Sequence, residues 1–371
     1  MAIWKIDELG EFVTLKRGYD LPQQKRKNGE IPIFSSSGVT GTHNEAMVEA
    51  PGVITGRYGT IGEVFFAETS FWPLNTTLYV ENFHENDEKF VYYFLKTLEW
   101  KKFASASAVP GINRNTVHKE IVRFPDFETQ QKIASVLSTI DKKIAVNKAI
   151  NDNLEQQAAT YFQELFINNA NPMWQISTIS DLGTVVGGST PSKTKPEYYT
   201  NNGIAWITPK DLSINKSKFI SHGENDITEL GLKNSSATVM PKGTVLFSSR
   251  APIGYIAIAS NEVTTNQGFK SVIPYSEIGT AFVYFFVKHS LPVIESAASG
   301  STFKEISGSA MKNIPAIIPD RNTLDQFNSF CAPIFAQQKI LEEQNHSLAM
   351  LRDSLLPKLM SGAIDIASIQ L

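Results

Sequence analysis

Two arginines stand in tight turns that each follow an apolar stretch. Arg57 lies within Gly52 to Gly62, and Arg250 lies within the matching stretch Gly243 to Gly254. Both stretches predict a β-strand, a tight turn and a glycine that lets the next strand return. A guanidinium can bind phosphate or donate two hydrogen bonds to guanine O6 and N7. We therefore expect both turns to contact nucleic acid, with a surface ion pair as the alternative role.

Amide, hydroxyl and basic side chains surround these turns. Asn75, Asn266 and Gln267 follow the return strands; their amides could read adenine, although turn capping is an equally ordinary role for Asn. Basic residues cluster at matching places in the two halves, where a solvated surface is the ordinary explanation of such a cluster. The residues predicted to contact DNA are Lys16, Arg17, Lys25, Arg26, Ser35, Ser36, Ser37, Arg57, Tyr58, Thr60, Asn75, Thr76, Asn113, Arg114, Ser189, Thr190, Lys193, Lys210, Ser248, Ser249, Arg250, Asn266, Gln267 and Lys304.

Catalytic motifs are not evident. The sequence has no Walker A lysine loop and no Gly-x-Ser-x-Gly elbow, and its six histidines lack metal-ligand spacing. The run Asn171 to Trp174 is similar to the Asn-Pro-Pro-aromatic motif of amino-methyltransferases but lacks the second proline. Proline ends helices, so we interpret this run as a linker. We expect no catalytic residue, no metal and no cofactor on this chain.

Composition favours a globular protein of more than one domain. At 371 residues the chain exceeds one ordinary core, and 42% hydrophobic with 19% charged residues is typical of folded proteins. No apolar run approaches the roughly 20 residues of a membrane span, and no secretion signal is evident. The single cysteine, Cys331, excludes an intrachain disulfide and fits a cytoplasmic location. The net charge of −3 gives no general support to nucleic-acid binding.

The elements that must position these residues include two long amphipathic helices, each beginning after a Pro-Asp step. Steps of three and four residues trace one mostly apolar stripe on each helix, interrupted by asparagines that we interpret as register devices. Such stripes predict an antiparallel coiled coil. The stripes are Ile133, Leu137, Ile140, Ile144, Asn147, Asn151, Leu154, Ala158, Tyr161 and Leu165, and Phe327, Cys331, Ile334, Gln338, Leu341, Asn345, Leu348, Arg352, Leu355 and Leu359.

The chain is an internal duplication. A tryptophan, a polar glycine-bearing stretch, an apolar strand, the arginine turn, an aromatic helix, a small-residue loop and a long helix follow in the same order twice. A period this long indicates duplicated domains rather than a solenoid. We predict an α+β fold of two similar mixed α/β domains separated by the two helices. The predicted ranges are 1–126 for domain 1, 127–170 for the central helix, 171–320 for domain 2, 321–361 for the C-terminal helix and 362–371 for a tail.

In this order and repetition, the chain resembles the specificity subunit of type I restriction–modification systems over essentially its whole length. The first half departs from the pattern, with Gly18-Tyr19-Asp20 in place of a Thr-Pro-Ser form, and the first helix lacks the Leu-Leu-Pro ending. The matching stretches are Trp174 to Gly183, Gly187 to Ser192, Ile204 to Leu212, Gly243 to Gly254, Asn266 to Phe269, Ser299 to Thr302, and the helix signature formed by Asn345, Leu348, Leu351, Arg352, Leu355, Leu356, Pro357, Leu359, Ser361 and Gly362.

The resemblance implies a non-catalytic subunit that binds a bipartite, asymmetric DNA site through two target-recognition domains. It implies two methyltransferase partners and two motor-nuclease partners, with S-adenosylmethionine, ATP and Mg expected on those subunits. Methylation would fall on an adenine in each half-site. A helix of about 34 residues is about 50 Å long, so the helix pair would set the spacer between half-sites. A methylation-only assembly and a coiled-coil scaffold without DNA binding are the alternatives.

Overall fold

A computed structural model describes residues 3–105, 110–300 and 304–366. Parts of the two small-residue loops, Ser301 and Thr302 among them, and the end of the tail lie outside these ranges. The strands are β1 (Trp4–Glu8), β2 (Thr14–Arg17), β3 (Ile31–Ser35), β4 (Gly38–His43), β5 (Gly52–Gly56), β6 (Val64–Ala67), β7 (Trp72–Pro73), β8 (Thr77–Asn82), β9 (Ile121–Pro125), β10 (Gln175–Thr178), β11 (Gly183–Gly187), β12 (Tyr199–Thr200), β13 (Ile204–Ile207), β14 (Phe219–Ile220), β15 (Asn225–Ile227), β16 (Val245–Ser249), β17 (Ile253–Ala259), β18 (Thr264–Thr265), β19 (Lys270–Pro274) and β20 (Pro315–Ile318). The helices are α1 (Leu9–Phe12), α2 (Glu88–Lys96), α3 (Arg114–His118), α4 (Phe127–Gln163), α5 (Pro209–Ile214), α6 (Glu229–Lys233), α7 (Thr280–His289), α8 (Leu291–Ala297), α9 (Gly308–Lys312) and α10 (Arg321–Ser361).

The chain divides into two compact units. Unit 1 comprises Met1–Ala145 with His346–Leu371, and unit 2 comprises Val146–Asn345. The long helices α4 and α10 therefore each contribute one segment to each unit. A single π-helical turn, Glu164–Asn168, follows α4.

The strands of each unit form small sheets in the same plan. Unit 1 has the four-stranded sheet β2-β8-β5-β6, the three-stranded sheet β4-β3-β7 and the pair β1-β9. Unit 2 has the five-stranded sheet β11-β19-β16-β17-β14, the four-stranded sheet β12-β15-β13-β18 and the pair β10-β20. Most pairings are antiparallel, but β3 runs parallel to β7, β13 runs parallel to β18 and β14 runs parallel to β17. This matching of sheets agrees with the internal duplication predicted from sequence.

Both long helices begin at the aspartate of a Pro-Asp step. Asp126 Oδ1 accepts the Thr129 N–H at 3.0 Å, and Asp320 Oδ1 accepts the Thr323 N–H at 3.1 Å. These bonds satisfy backbone donors that a helix leaves open at its first turn. The Ile3 N–H, 2.7 Å from Asp126 Oδ2, and then the Thr129 N–H lower the pKa of the Asp126 carboxyl. The two helix starts are therefore built by the same chemistry.

In unit 1 the first segment of α4 packs against the last segment of α10. Ile133 and Leu137 belong to the same hydrophobic core as Leu359, together with residues of α1 and α2. Beside this core, Arg352 Nη1 donates to Asp141 Oδ1 at 2.8 Å. The centre of this core is apolar, and the ion pair of Arg352 and Asp141 lies at its edge.

In unit 2 the second segment of α4 packs against the first segment of α10. Phe162 and Phe327 share a core with Phe282 of α7. Farther along, Asn147 Nδ2 donates to Gln344 Oε1 at 3.4 Å, and Asn151 Nδ2 lies 3.5 Å from the Gln338 carbonyl oxygen. Residue numbers fall along α4 as they rise along α10, so the segments are antiparallel.

Every position of the two predicted stripes is buried or half-buried. The predicted α+β class with long antiparallel helices is confirmed. The aromatic helices are also core rather than a stacking platform, because Phe90, Tyr93, Phe94, Phe282 and Phe285 are all buried. Among the described residues, no helix is long and apolar enough to cross a membrane.

Two leucines of α10 test the helix packing in unit 1. Leu359 is completely buried, whereas Leu351 is 47% exposed. Leu359→Ala should lower the free energy of unfolding by about 2–5 kcal/mol, because it removes buried methyl groups and leaves a cavity. Leu351→Ala is the matched control and should cost less than about 0.5 kcal/mol. Urea denaturation followed by circular dichroism measures both, and equal losses would contradict the packing described.

Candidate nucleic-acid interface

Arg57 of unit 1 stands where three segments meet. Its backbone N–H donates to the Thr76 carbonyl at 2.8 Å, and its own carbonyl accepts the Ile112 N–H at 3.0 Å. Its Nε donates to the Ile112 carbonyl at 3.2 Å, and its guanidinium carbon lies 4.6 Å from the centre of the Tyr58 ring. These contacts fix the half-buried side chain through Nε and the face of the guanidinium, and neither Nη group donates a hydrogen bond in them. Such a group can donate to a phosphate or to a base edge.

The loop after β2 is joined to the turn before β8 by its backbone. The Tyr19 N–H donates to the Pro73 carbonyl at 2.8 Å, and the Asn75 N–H donates to the Tyr19 carbonyl at 2.9 Å. Gly18 permits this approach, because a Cβ there would overlap the Leu74 carbonyl. At the tip, Asn75 Nδ2 donates to Asp20 Oδ1.

Several other predicted contact residues lie around the Arg57 turn. A Cβ at Gly56 would lie 3.1 Å from Ser36 Cβ, so the β3–β4 turn sits against the end of β5. Asn113 caps α3, its Oδ1 accepting the Asn115 N–H at 3.0 Å, and Arg114 is the first residue of that helix. The structure therefore groups Ser36, Arg57, Tyr58, Thr76, Asn113 and Arg114 around one junction, with Thr60 exposed on the same turn.

The other basic residues of unit 1 that were predicted to contact DNA are Lys16, Arg17, Lys25 and Arg26, and they lie outside the group around Arg57. Lys16 Nζ lies 2.5 Å from Glu81 Oε1 across β2 and β8, and Arg17 lies 3.6 Å from Asp20 Oδ1. Arg26 Nη1 donates to the Thr40 carbonyl at 3.4 Å, and Lys25 ends the short 3₁₀ turn just before it. Ser35 Oγ shapes the hairpin by donating to the Gly38 carbonyl at 3.1 Å, beside Ser37. Lys25 and Arg26 are thus associated with the three-stranded sheet rather than with the Arg57 junction.

In unit 2 the loop after β11 meets the turn after β18, as the loop after β2 meets the turn before β8 in unit 1. We call this contact between loop and turn the loop junction of each unit. The Ser189 N–H donates to the Thr265 carbonyl at 2.9 Å, and a Cβ at Gly188 would overlap the Asn266 carbonyl. Thr190 donates its hydroxyl to Gln267 Oε1 at the tip. Beneath the loop, Trp206 Nε1 donates to the Ser189 carbonyl at 3.0 Å.

A cavity of about 350 Å³ opens beside this junction. Its lining includes Lys193, Trp206, Lys210 and Asn266. Lys210 Nζ lies 2.5 Å from Glu224 Oε2, and Asn266 Oδ1 accepts the Gly268 N–H at 2.8 Å. The structure therefore brings the predicted residues of this loop, its two lysines and the Asn266–Gln267 turn together.

Arg250 forms an ion pair, which is the alternative role considered for it in the sequence analysis. Its Nη1 lies 3.3 Å from Glu305 Oε2, and Lys270 Nζ lies 3.5 Å from Glu305 Oε1. Lys304 directly precedes this glutamate and is exposed. No carboxylate partner is recorded for Arg57 within the described residues. The two arginines therefore differ in how freely they could engage an anion.

Arg57 and Arg250 stand on corresponding turns but differ by one position within them. The Ser249 N–H donates to the Gly268 carbonyl at 2.7 Å, and the Ser249 carbonyl accepts the Ile306 N–H at 3.1 Å, which are the bonds that Arg57 makes in unit 1. Ser249 is therefore the counterpart of Arg57, and Arg250 is the counterpart of Tyr58. In an extended chain, a shift of one residue turns a side chain to the opposite face.

Ser248 and Ser249, two of the predicted contact residues, lie inside the fold. Both are fully buried at the end of β16. Ser248 Oγ donates to the Pro252 carbonyl at 2.8 Å and accepts the Tyr255 N–H at the same distance. Both side chains are therefore enclosed, and the bonds of the Ser248 hydroxyl shape the turn that carries Arg250.

Sequence reasoning missed three residues at these junctions. Asp20 holds Asn75, Trp206 supports Ser189, and Glu305 pairs with Arg250. Asp20 could have been found, since it occupies in the first half the place that Thr190, a predicted contact residue, occupies in the second. Glu305 has no such signal, because its counterpart is glycine, Gly111, and the pairing depends on the fold. Among the described residues, no group of three or more His, Cys, Asp or Glu could hold a metal ion.

Two adjacent glycines test the loop junction of unit 2. A Cβ at Gly188 would overlap the Asn266 carbonyl, whereas a Cβ at Gly187 would meet nothing within 4 Å, and neither glycine has a positive φ. Gly188→Ala should therefore lower the free energy of unfolding of unit 2 by about 1–3 kcal/mol by forcing the two loops apart. Gly187→Ala is the control. Thermal denaturation distinguishes them, and an unchanged Gly188→Ala variant would show that the close approach is not required.

One protein-family model matches the chain twice, once in each half. The family model of the type I restriction modification DNA specificity domain matches residues 1–156 and again 171–345. The chain is 43% identical over 162 residues to the type I restriction enzyme MjaIX specificity subunit of Methanocaldococcus jannaschii, covering 43% of this chain and 37% of that subunit. It is 24% identical over 347 residues to the HindI specificity subunit of Haemophilus influenzae, covering 72% of this chain and 75% of that subunit.

A solved structure has the same fold. The crystal structure of a type I restriction–modification system S subunit from M. genitalium superposes with a TM-score of 0.64 at 17% sequence identity, covering 96% of both chains. At this identity the likeness concerns the fold alone. The two-fold match of the family model, which covers most of the sequence, establishes the family: this chain belongs to the family of the type I restriction modification DNA specificity domain.

Proposed function

We propose that this chain is the DNA sequence-specificity subunit of a type I restriction–modification complex, and that its two target-recognition domains bind a bipartite, asymmetric site. One observation carries the proposal. Both units form the same loop junction with the same backbone approach at Gly18 and Gly188, yet the side chains at the tips differ, Asp20 with Asn75 and Thr190 with Gln267. A constant frame with variable side chains is suited to reading two unlike half-sites.

The chemistry of the junctions supports contact with DNA. Arginine and lysine side chains neutralise phosphates and set register, while a few side chains reach base edges. Arg57 with its free Nη groups, and Lys193 beside the unit 2 cavity, suit these roles. The net charge of −3 is compatible with this proposal if basic partner subunits complete the DNA channel.

The long helices support docking of partner subunits. Apolar side chains remain exposed on them, at 53% for Val146, 47% for Ile340 and 61% for Met350. Burial of these side chains against an apolar surface of a partner would favour association. We propose two methyltransferase and two motor-nuclease subunits as partners, which would bind S-adenosylmethionine, ATP and Mg and perform all chemistry. The proposed domain ranges remain 1–126 and 171–320, with helices 127–170 and 321–361 and a tail 362–371.

The first test is the methylated sequence itself. Sequencing of methylated DNA from cells that contain this chain and its methyltransferase should reveal one motif of two unlike parts, each with a modified adenine, separated by an uncontacted spacer. A scaffold without DNA binding would give no motif attributable to this chain. If the assembled complex bound DNA equally well after both Arg57→Gln and Arg250→Gln, these two arginines would not be DNA contacts.

Helix length provides the variant for this test. Deleting residues 143–149 from α4 and 343–349 from α10 removes one heptad from each helix and keeps both stripes in phase. Seven residues span about 10.5 Å of helix, or about three base pairs at the 3.4 Å spacing of DNA. The tolerated spacer should shorten accordingly, and an unchanged spacer in the methylated motif would refute the idea that the helices set it.

Docking has a matched pair of variants. Val146 on α4 and Val293 on α8 are both helical and are 53% and 51% exposed. Val146→Lys should reduce co-elution with the methyltransferase subunits in size-exclusion chromatography, because a charge would enter an apolar contact. Val293→Lys should leave assembly unchanged. If both variants assemble like the unaltered chain, this face of the helices is not the docking surface.

A further inference from the structure

One pair of positions is bonded side chain to side chain in both units. Asp20 and Thr190 are 170 positions apart, and Asn75 and Gln267 are 192 positions apart. The same two shifts relate the backbone bonds of these loops, Tyr19 to Pro73 and Ser189 to Thr265. The Asp20–Asn75 and Thr190–Gln267 bonds are therefore one structural feature made with two chemistries.

In unit 1 this pair presents oxygen acceptors. The Asp20 side chain is 67% exposed, and a carboxylate only accepts hydrogen bonds. Asn75 Nδ2 donates one of its two N–H groups to that carboxylate, which orients the amide and leaves Oδ1 as an acceptor and one N–H beside the carboxylate. A negative charge is repelled by phosphates, so this pair is suited to a base edge and not to the DNA backbone. Acceptors of this kind match the exocyclic amino groups of cytosine N4 and adenine N6 in the major groove.

In unit 2 the pair is uncharged, and its amide presents hydrogen-bond donors. Gln267 Oε1 accepts the Thr190 hydroxyl, so the remaining polar group of the amide is its Nε2 donor. Gln267 is exposed and Thr190 is half-buried, with Asn266 beside them also keeping its Oδ1 engaged by the Gly268 N–H at 2.8 Å. Amide donors match base acceptors, namely guanine O6 and N7 or thymine O4.

From these bonds we infer that the pair at 20 and 75, and its counterpart at 190 and 267, determines specificity in each half-site. The unit 1 pair selects a base that offers an amino group, and the unit 2 pair selects a base that offers an acceptor. This inference rests on the proposed function and adds the class of base that each domain reads.

The test is an exchange of the two pairs in the full chain assembled with its methyltransferase. Asp20→Thr with Asn75→Gln places the unit 2 chemistry in unit 1. Methylation of a randomised DNA library should change its base preference by about tenfold or more at one position of one half-site. The reciprocal exchange, Thr190→Asp with Gln267→Asn, should alter one position of the other half-site.

A conservative variant and a charge control complete the design. Asp20→Asn keeps the size and the bond to Asn75 but adds a donor, so discrimination at that one position should fall while stability is retained. Arg17→Gln removes the charge 3.6 Å from Asp20 and should weaken binding about equally for all sequences. Because Asp20→Asn is nearly isosteric, it decides the question even if an exchanged chain does not fold.

The outcomes separate the two levels of the proposal. A motif unchanged at every position in folded Asp20→Asn and exchanged chains would overturn the inference, as would a change spread over both half-sites, while the proposed function would stand. If the unaltered chain with its methyltransferase produces no specific motif, the proposed function fails first.

Discussion

The buried contact between α4 and α10 is the constraint on which each unit depends. The charged side chains beside this contact differ between the two units. In unit 1, Asp141 accepts Arg352 Nη1 at 2.8 Å and the Tyr93 hydroxyl at 2.5 Å. The repeat places aromatic residues at two of these positions in unit 2, Phe285 and Phe335, with ring centres 6.1 Å apart. A helix segment paired with the wrong domain would leave Asp141 or Arg352 without its partner. Such a mispaired segment would lower the free energy of unfolding, because a half-buried charge would lose its counter-charge.

Unit 2 has its own charged contact, and this contact connects the helices to the five-stranded sheet. Lys218, the residue just before β14, is paired with Glu155 of α4 and donates to Gln338 Oε1 at 2.6 Å. Burial lowers the pKa of the Lys218 ammonium, and the nearby Glu155 carboxylate opposes that effect. Glu342 of α10 accepts the backbone N–H groups of Lys218 and Phe219 at 2.8 and 3.0 Å. The sheet that carries Arg250 is thereby fixed to the helix pair through both backbone and side chain.

The sequence predicted the frame better than the site, for a physical reason. A stripe such as Ile133, Leu137 and Ile140 has a period that only a buried helix face explains, so the helices and their pairing were predictable. Positions within turns carry no such period. The one-residue offset between Arg57 and Arg250, and the burial of Ser249, depend on which carbonyl each N–H meets, and those partners lie far away in the chain.

The same reasoning explains how one frame can serve different specificities. The loop junctions are held by backbone bonds and by glycines at which a Cβ would overlap a carbonyl, and none of these bonds involves the side chains at the tips. Asp20 or Thr190 can therefore occupy the same place without altering the path of the chain. Glu305 shows that the surroundings vary as well, because it ties up Arg250 in unit 2 where unit 1 has Gly111. Under the proposed function, such a protein would change the base that it reads by replacing tip residues, while its core and its helix contacts stay as they are.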